Sequence, residues 1–255
     1  MRTPVTFGRD PFDLVATLAR KAATSVAVVV PAQNESSTLA GVLNAATATP
    51  GLVDELVVVD DHSSDDTAAV AARHGARVLR LSGASGKGPA MAAGLAETTG
   101  DLVVFLDADV TNTGADYVAR LVAPLLESDE LVLVKGYYER PLHDAPTGGG
   151  RVNDLAARPI LTLLFPGLGE IRQPLAGETA GRRRALEKVD FAPAYGVEIG
   201  LLIDVADIFG VDAIAQVDLG VRRHRNRPLD ELRPMAVDVL RAALERRGVP
   251  ASDEG

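Results

Sequence analysis

The chain has 255 residues, a formal net charge of −9 and 47% hydrophobic residues, a composition typical of a folded globular protein. Its acidic balance argues against a general nucleic-acid binder, because binding to phosphates requires a basic surface. The absence of cysteine excludes disulfides, thiolate catalysis and thiolate-bound zinc. The sequence has neither a run of about 18 apolar residues nor a signal-peptide core, so we expect a cytoplasmic protein without stable membrane association.

Strands and helices alternate through the first half of the chain. An amphipathic helix is predicted over residues 10–22, and strands are predicted at 26–30, 55–59, 76–81 and 102–109. The helices between these strands are predicted to start near Ser36, Ser64 and Lys87. Alternation of this kind predicts an α/β fold, with a mainly parallel sheet and helices on both faces.

The pattern is looser after residue 130. The predicted elements there are strands at 130–138 and 213–219 and helices at 152–165, 194–210 and 230–247. We therefore divide the chain into an N-terminal helix, a nucleotide-binding half, an acceptor-binding half with the C-terminal helix, and a disordered tail. These parts cover residues 1–24, 25–130, 131–248 and 249–255.

Two carboxylates, Asp107 and Asp109, follow an apolar run that is predicted to be a buried strand. In an open α/β sheet, the carboxyl ends of the strands line the ligand crevice. An Asp-x-Asp pair at that edge can hold a hard divalent cation and, through it, a diphosphate. The alternative is that the two residues simply cap the end of the strand.

The loop Pro31–Glu35 follows the first predicted strand, where the base and ribose of a nucleotide would lie. It lacks both the Gly-x-Gly-x-x-Gly and the Walker pattern, which argues against a dinucleotide oxidoreductase and a P-loop kinase. Glu35 either accepts a hydrogen bond from a ribose hydroxyl or caps the next helix. Asp60, at the next strand end, either accepts from the imino N–H of uracil or guanine or belongs to a capping turn.

A glycine-flanked lysine, Lys87, precedes the next helix. Its ammonium group either neutralises a diphosphate or is simply solvated. Joined to the three strand-end motifs, the Gly-Lys-Gly loop makes the sequence resemble the nucleotide-sugar glycosyltransferases of the GT-A fold. That resemblance implies an Asp-x-Asp site for Mg²⁺ or Mn²⁺. It implies nucleotide-sugar contacts from Pro31, Ala32, Gln33, Glu35, Asp60, Asp61, Lys87, Asp107, Ala108, Asp109 and Glu198.

The second half narrows the resemblance. Segments 133–141, 147–153, 173–178, 191–200 and 213–229 make residues 10–245 similar to the actinobacterial glucosyl-3-phosphoglycerate synthases and their mannosyl relatives. The resemblance implies a homodimer that transfers glucose from UDP-glucose to 3-phosphoglycerate with retention of configuration. The product feeds glucosylglycerate or methylglucose lipopolysaccharide synthesis. Because relatives use UDP-glucose, GDP-mannose or both, the donor is left open.

Three glycines and Arg151 precede a predicted helix. Backbone N–H groups, the positive end of a helix and a guanidinium suit a phosphate monoester and a carboxylate; the alternative is a flexible loop. The acceptor contacts implied are Gly149, Gly150, Arg151, Asn153 and Asn226. Asn153 stands where the family usually has Thr. Because it lies on the implied acceptor site, it puts the identity of the acceptor in more doubt than that of the donor. Ala108 replaces a usual Ser and is expected to keep a backbone contact.

The remaining candidates are a histidine and a carboxylate. His224 has a structural alternative, but the resemblance implies that it joins Asp109 as a metal ligand. Glu198 lies in an apolar helix, so it either pairs with an arginine or, as the resemblance suggests, holds the sugar hydroxyls. Arg222 either is solvated or pairs with nearby acids. The catalytic set is Asp109, Glu198 and Lys87, and Glu178 and Asp218 are weaker candidates.

No residue is predicted to be a covalent nucleophile, so front-side attack by the acceptor hydroxyl is the expected mechanism. Three alternatives stay open. A polyprenyl-phosphate sugar transferase shares the first-half motifs, but no basic amphipathic tail is evident. A sugar-phosphate nucleotidyltransferase would need a Gly-rich basic loop after the first strand. The third alternative is a nucleotide-sugar-binding protein without activity.

Overall fold

The computed structural model describes residues 2–142, 145–223 and 229–249. Its first half alternates strands and helices as predicted. The elements are β1 (Val5–Phe7), α1 (Leu14–Lys21), β2 (Val26–Ala32), α2 (Leu39–Ala46), β3 (Glu55–Asp60), α3 (Thr67–Arg73), β4 (Arg77–Arg80), α4 (Lys87–Glu97), β5 (Leu102–Phe105) and α5 (Tyr117–Glu127).

The second half adds further strands and helices. Its elements are β6 (Leu133–Glu139), β7 (Pro141–Leu142), β8 (Ala145–Gly148), α6 (Arg158–Leu164), β9 (Thr179–Arg182), α7 (Arg183–Leu186), α8 (Val197–Phe209), β10 (Ile214–Val221) and α9 (Leu229–Glu245). Of these, β6, β9 and β10 are added to the sheet of the first half, and β7 and β8 form a separate two-stranded sheet. The helix predicted over 152–165 contains a π-helical segment, Asn153–Ala157, immediately before α6.

One eight-stranded sheet joins the two halves, in the order β1-β10-β6-β9-β5-β2-β3-β4. Only β9 runs antiparallel to its neighbours, β5 and β6. The carboxyl ends of β2, β3 and β5 therefore lie side by side at one edge of the sheet. The boundary predicted at residue 130 is a boundary in the sequence, not a break in the sheet.

Apolar side chains on both faces of the sheet form the core. Val28 and Val30 pack in the cluster on one face, and Val29 packs in the cluster on the other. Strands buried on both faces have continuous apolar sequences, because neither face meets water. The predicted limits of β2 and β3 are therefore close to the observed ones, and the sheet positions the ends of these strands rigidly.

Several predicted limits differ from the structure, and β7, β8 and β9 were not predicted. The strand predicted over 102–109 ends at Phe105, so Asp107 and Asp109 lie on the loop beyond β5. The prediction of only a helix in residues 1–24 omitted β1, a three-residue strand that is stabilised by pairing with β10 at the sheet edge. So short a strand, exposed on two of its three residues, has no periodic pattern for sequence analysis to detect.

Candidate active site

Lys87 is the first residue of α4, and its ammonium group lies between two carboxylates. The Nζ atom pairs with Asp107 Oδ1 and with Glu198 Oε1, the latter at 2.5 Å. Burial acts to lower the pKa of Lys87, but these two carboxylates raise it above its usual value, so the side chain is cationic. The lysine, the Asp-x-Asp motif and Glu198 therefore meet, although they lie far apart in the sequence. The sequence offered an arginine as the partner of Glu198, and the structure pairs it with Lys87.

Asp107 is held from two sides. Its Oδ1 accepts from Lys87, and its Oδ2 accepts from Arg222 Nη2 at 2.8 Å. Burial opposes ionisation, but the two cations lower the pKa of Asp107 well below its usual value. Gly177 packs against this carboxylate, where a Cβ would lie 2.0 Å from Oδ1. Only glycine fits there, so the segment before β9 fixes Asp107 from a third side.

Arg222 is the buried centre of the cluster, with 3% of its surface exposed. Its Nη1 donates to both oxygens of Glu178, at 3.0 and 2.9 Å, and to the Tyr138 hydroxyl at 2.7 Å. Its Nη2 bridges Asp107 and Asp109. The sequence left open whether Arg222 is solvated or paired, and the structure shows it paired with three carboxylates.

Asp109 differs from Asp107 in its access to solvent. Its Oδ1 accepts from Arg222 Nη2 at 3.0 Å, while 42% of its side chain remains exposed. Asp107, by contrast, has a cation on each oxygen. Of the two, Asp109 is therefore the carboxylate that can turn an oxygen toward a ligand in the crevice.

The nucleoside side of the crevice is built from the ends of β2 and β3. Asp60 is buried, and its Oδ1 accepts from the Ser63 amide at 3.2 Å, as in the capping turn that the sequence offered as an alternative. Glu35 Oε2 accepts from the Thr38 hydroxyl at 3.1 Å, at the start of α2. Both side chains thus have local partners at the edge where a nucleoside is predicted to bind.

Asp61 binds the loop that precedes Lys87. Its Oδ2 accepts from the Ser85 hydroxyl at 2.9 Å and from the Gly86 amide at 2.8 Å, and its Oδ1 lies 2.9 Å from His62 Nδ1. Burial acts to raise the pKa of Asp61, but these hydrogen bonds lower it. The Gln33 amide group donates to the Asp61 carbonyl at 2.9 Å. Asp61 and Gln33 therefore position the residue before Lys87.

The predicted acceptor residues lie at the start of the helix that contains α6. Gly149 is buried, Gly150 has a φ of +77°, and Arg151 is half-buried. Asn153 is buried, with 1% of its surface exposed. Its Nδ2 donates to Asp154 Oδ1 and to the Arg172 carbonyl, and its Oδ1 is buried without a partner among the described residues.

His224 and Asn226, predicted to bind metal and acceptor, lie outside the described residues. Pro31 and Ala32 lie at the carboxyl end of β2, and Ala108 lies on the loop that follows β5. Within the described ranges, no group of three or more His, Asp and Glu side chains could hold a metal ion. The metal prediction therefore depends on Asp109, whose hard, partly exposed oxygen suits Mg²⁺ or Mn²⁺.

Sequence reasoning missed Lys135 and Arg140, and it did not single out Tyr138. Lys135 lies in β6 with 0% of its surface exposed, and its Nζ donates to the Ala176 carbonyl at 2.5 Å and to Thr179 Oγ1 at 2.9 Å. Burial lowers the pKa of Lys135 to about 8. A lysine inside an apolar strand sequence was a detectable signal, because such a side chain is rarely buried without a specific partner.

These features define a class of protein. A parallel sheet presents paired carboxylates, a loop lysine and a further carboxylate at one edge, and it lacks a glycine-rich phosphate loop after its first long strand. That combination is typical of a GT-A glycosyltransferase. None of the helices in the part of the chain that the structure describes is long and apolar enough to cross a membrane.

Comparison with known proteins gives the family. The model of Glycosyl transferase family 2 matches residues 27–189. Glucosyl-3-phosphoglycerate synthase from Mycobacterium tuberculosis is 48% identical over 252 residues, covering 93% of this chain and 78% of the relative. The synthase of the same name from Petrotoga mobilis is 43% identical over 206 residues, covering 76% of this chain and 63% of the relative.

Solved structures agree. The Mycobacterium tuberculosis synthase in complex with Mn²⁺, UDP-glucose and phosphoglyceric acid has a TM-score of 0.91 at 46% identity, covering 99% of this chain and 90% of that one. The same enzyme with Mn²⁺, UDP-glucose and glycerol 3-phosphate has a TM-score of 0.89 at 45% identity, covering 98% and 90%. The chain belongs to the glucosyl-3-phosphoglycerate synthase family, and the GT-A fold predicted from the sequence is confirmed.

Proposed function

We propose that this chain transfers glucose from UDP-glucose to 3-phosphoglycerate, with retention of configuration and with Mg²⁺ or Mn²⁺ as cofactor. The observation that carries the proposal is the ion-pair cluster in which Lys87 joins Asp107 to Glu198. The ammonium group of Lys87, which can bind a diphosphate, therefore lies beside the carboxylate of Glu198, which can accept hydrogen bonds from sugar hydroxyls. The name of a relative at 48% identity and the ligands of a solved structure at 46% identity support the choice of substrates.

On the donor side, the nucleoside lies against Pro31, Ala32, Gln33 and Glu35, with Asp60 accepting from the uracil imino group. The diphosphate lies between Lys87 and Asp109, and Asp107 and Ala108 complete the contact at the strand end. Asp109 holds the divalent cation, with His224 as its proposed second ligand. When bound there, the cation supplies positive charge next to the leaving diphosphate.

In the chemical step, the bond between glucose C1 and the diphosphate oxygen breaks as negative charge develops on the diphosphate. Lys87 is held in place before any substrate arrives, so it can stabilise that charge without reorganising. The C2 hydroxyl of 3-phosphoglycerate forms the new bond to C1 on the face that the diphosphate leaves. Its proton passes to the departing phosphate oxygen, and Glu198 orients the sugar through its hydroxyls.

On the acceptor side, the amides of Gly149 and Gly150 and the guanidinium of Arg151 bind the phosphorylated acid at the helix start. Asn153 and Asn226 are proposed to complete this site. In this structure the Asn153 amide donates to the Arg172 carbonyl. To contact the acceptor, Asn153 must either donate from that same amide group or rotate its side chain when the acceptor binds. A homodimer, a cytoplasmic location and use of GDP-mannose are predictions from the family resemblance.

A panel of nucleotide sugars tests the proposal. UDP-glucose, GDP-glucose and GDP-mannose are incubated with 3-phosphoglycerate, D-glycerate or a polyprenyl phosphate in the presence of Mg²⁺, and the products are identified by mass spectrometry. We expect glucosyl-3-phosphoglycerate from UDP-glucose. Product with the lipid phosphate but none with 3-phosphoglycerate would contradict the proposal. A glucosyl adduct trapped on Glu198 would contradict front-side attack.

A further inference from the structure

Arg140 follows β6 and supports the glycine loop of the acceptor side. The Gly149 amide donates to the Arg140 carbonyl at 3.0 Å. A Cβ on Gly149 would lie 2.9 Å from Arg140 Cβ, and one on Gly150 would lie 3.0 Å from Arg140 Cδ. The glycines thus bring the backbone of the proposed acceptor loop into direct contact with this side chain, since any larger residue would separate them.

The Arg140 guanidinium has a donor that no described residue satisfies. Its Nη2 donates to the Tyr138 hydroxyl at 2.8 Å, and its central carbon lies 5.0 Å from the centre of that ring. Its Nε is buried without a hydrogen-bond partner among the described residues; Arg222 Nε is too, but the Arg222 guanidinium pairs with three carboxylates. Within the described residues, none of the ion pairs involves Arg140. A buried N–H without an acceptor costs free energy, so the arrangement favours a ligand that supplies one.

A short chain of hydrogen bonds connects Arg140 to the metal carboxylate. The Tyr138 hydroxyl, which accepts from Arg140, also accepts from Arg222 Nη1 at 2.7 Å, and Arg222 Nη2 donates to Asp109. Burial raises the pKa of Tyr138 to about 12, so the phenol is neutral and contributes no negative charge. Two guanidiniums therefore meet at one neutral oxygen, and among the described residues Glu178 forms its ion pair with Arg222.

We propose that Arg140 binds the carboxylate of the acceptor acid. The inference rests on the proposed function, to which it adds a specificity-determining residue. In 3-phosphoglycerate the carboxylate is attached to the carbon that carries the reacting hydroxyl, whereas the phosphate is one carbon further away. Arg140 is connected by hydrogen bonds to Asp109 and packs against the Gly149–Gly150 loop, so it is suited to the carboxylate, which is the anion nearer to the reacting hydroxyl. The amides of the loop then remain for the phosphate. A guanidinium also matches a carboxylate in geometry.

Two ligands that differ in the carboxylate test the inference. Isothermal titration calorimetry with UDP and Mg²⁺ present gives the Kd of 3-phosphoglycerate and of glycerol 3-phosphate, which keeps the phosphate and lacks the carboxylate. For Arg140→Gln we expect the Kd of 3-phosphoglycerate to rise about ten-fold, the loss of a charge-assisted pair. The Kd of glycerol 3-phosphate should stay within about two-fold. Arg140→Lys, which keeps the charge, should recover part of the loss.

Arg172→Gln is the matched control, because Arg172 lies over the ring of Tyr137, the neighbouring residue of β6, at 4.6 Å. It removes the same charge and should leave both Kd values unchanged. If Arg140→Gln weakened the binding of both ligands equally, or weakened the binding of neither, the inference would be overturned while the proposed function stands. If the wild-type protein bound neither 3-phosphoglycerate nor glycerol 3-phosphate, the proposed function would be refuted, and the inference with it.

Discussion

Around Asp107, each of the four carboxylates of the site has a cationic partner, whereas the Arg140 guanidinium forms no ion pair within the described residues. The donor side of the crevice is therefore electrostatically organised in the free protein. On the acceptor side, Arg140 keeps a positive charge that is not paired with any described carboxylate. The difference fits the two substrates: the diphosphate must meet charges that are already fixed, while the small acid supplies its own anions to complete the site.

The largest expected effect is on stability, and it tests whether the donor side is held together by Arg222. In Arg222→Met, the buried carboxylate of Glu178 loses its guanidinium. We expect the free energy of unfolding to fall by about 3–5 kcal/mol in urea denaturation. The neighbouring exposed residue provides the control, and Arg223→Met should stay within about 0.5 kcal/mol of wild type. Equal stabilities of the two variants would show that the carboxylates do not depend on Arg222.

Lys87 tests whether the organised charge serves catalysis. Lys87→Met removes the cation between Asp107 and Glu198, and we expect kcat with UDP-glucose to fall about 100- to 1000-fold, as for the loss of one preorganised donor. Lys188→Met, which removes an exposed lysine, is the control. A Lys87→Met enzyme with nearly wild-type kcat would mean that the ion pairs are only structural.

Lys135 tests how buried charge behind the donor site responds to pH. Because burial lowers its pKa to about 8 from an ordinary value of 10.5, the unfolded chain binds more protons than the folded one between these values. The cost of burying the charged form is thus present below pH 8 and is relieved as the pH rises. Compared with Lys135→Met, the wild-type unfolding free energy should rise by up to about 1.4 kcal/mol per pH unit from pH 8 to 10. A constant difference would contradict the lowered pKa.

Asp61 should have the smallest effect, because in this structure its carboxylate binds the loop before Lys87. Asp61→Asn weakens the hydrogen bonds to Ser85 and Gly86, and we expect kcat/KM for UDP-glucose to fall about ten-fold, ~1.4 kcal/mol. Asp66→Asn is the control, because the Asp66 side chain makes no capping hydrogen bond, and its kcat/KM for UDP-glucose should equal that of wild type. If both variants behave as wild type, the loop is held by other contacts.

Much of the fold could be predicted from the sequence, because parallel strands such as β2 are buried on both faces and form unbroken apolar runs. The proximity of Lys87 and Asp107 was predictable, because one begins a crossover helix and the other follows a buried strand at the same edge of the sheet. The position of Arg222 was not predictable, because its bond to Asp107 joins residues 115 apart and depends on strand register. The burial of Asn153 was not predictable either, since no apolar pattern marks it.

The most direct test of the account is the cation dependence of product formation by wild type and Asp109→Asn. With UDP-glucose and 3-phosphoglycerate, wild type should form glucosyl-3-phosphoglycerate with Mg²⁺, stop when EDTA is added and recover with Mn²⁺. Asp109→Asn, whose partly exposed side chain should leave folding intact, should form none at any Mg²⁺ concentration. Product formed in EDTA, or formed by Asp109→Asn at the wild-type rate, would contradict the assignment of the cation to Asp109.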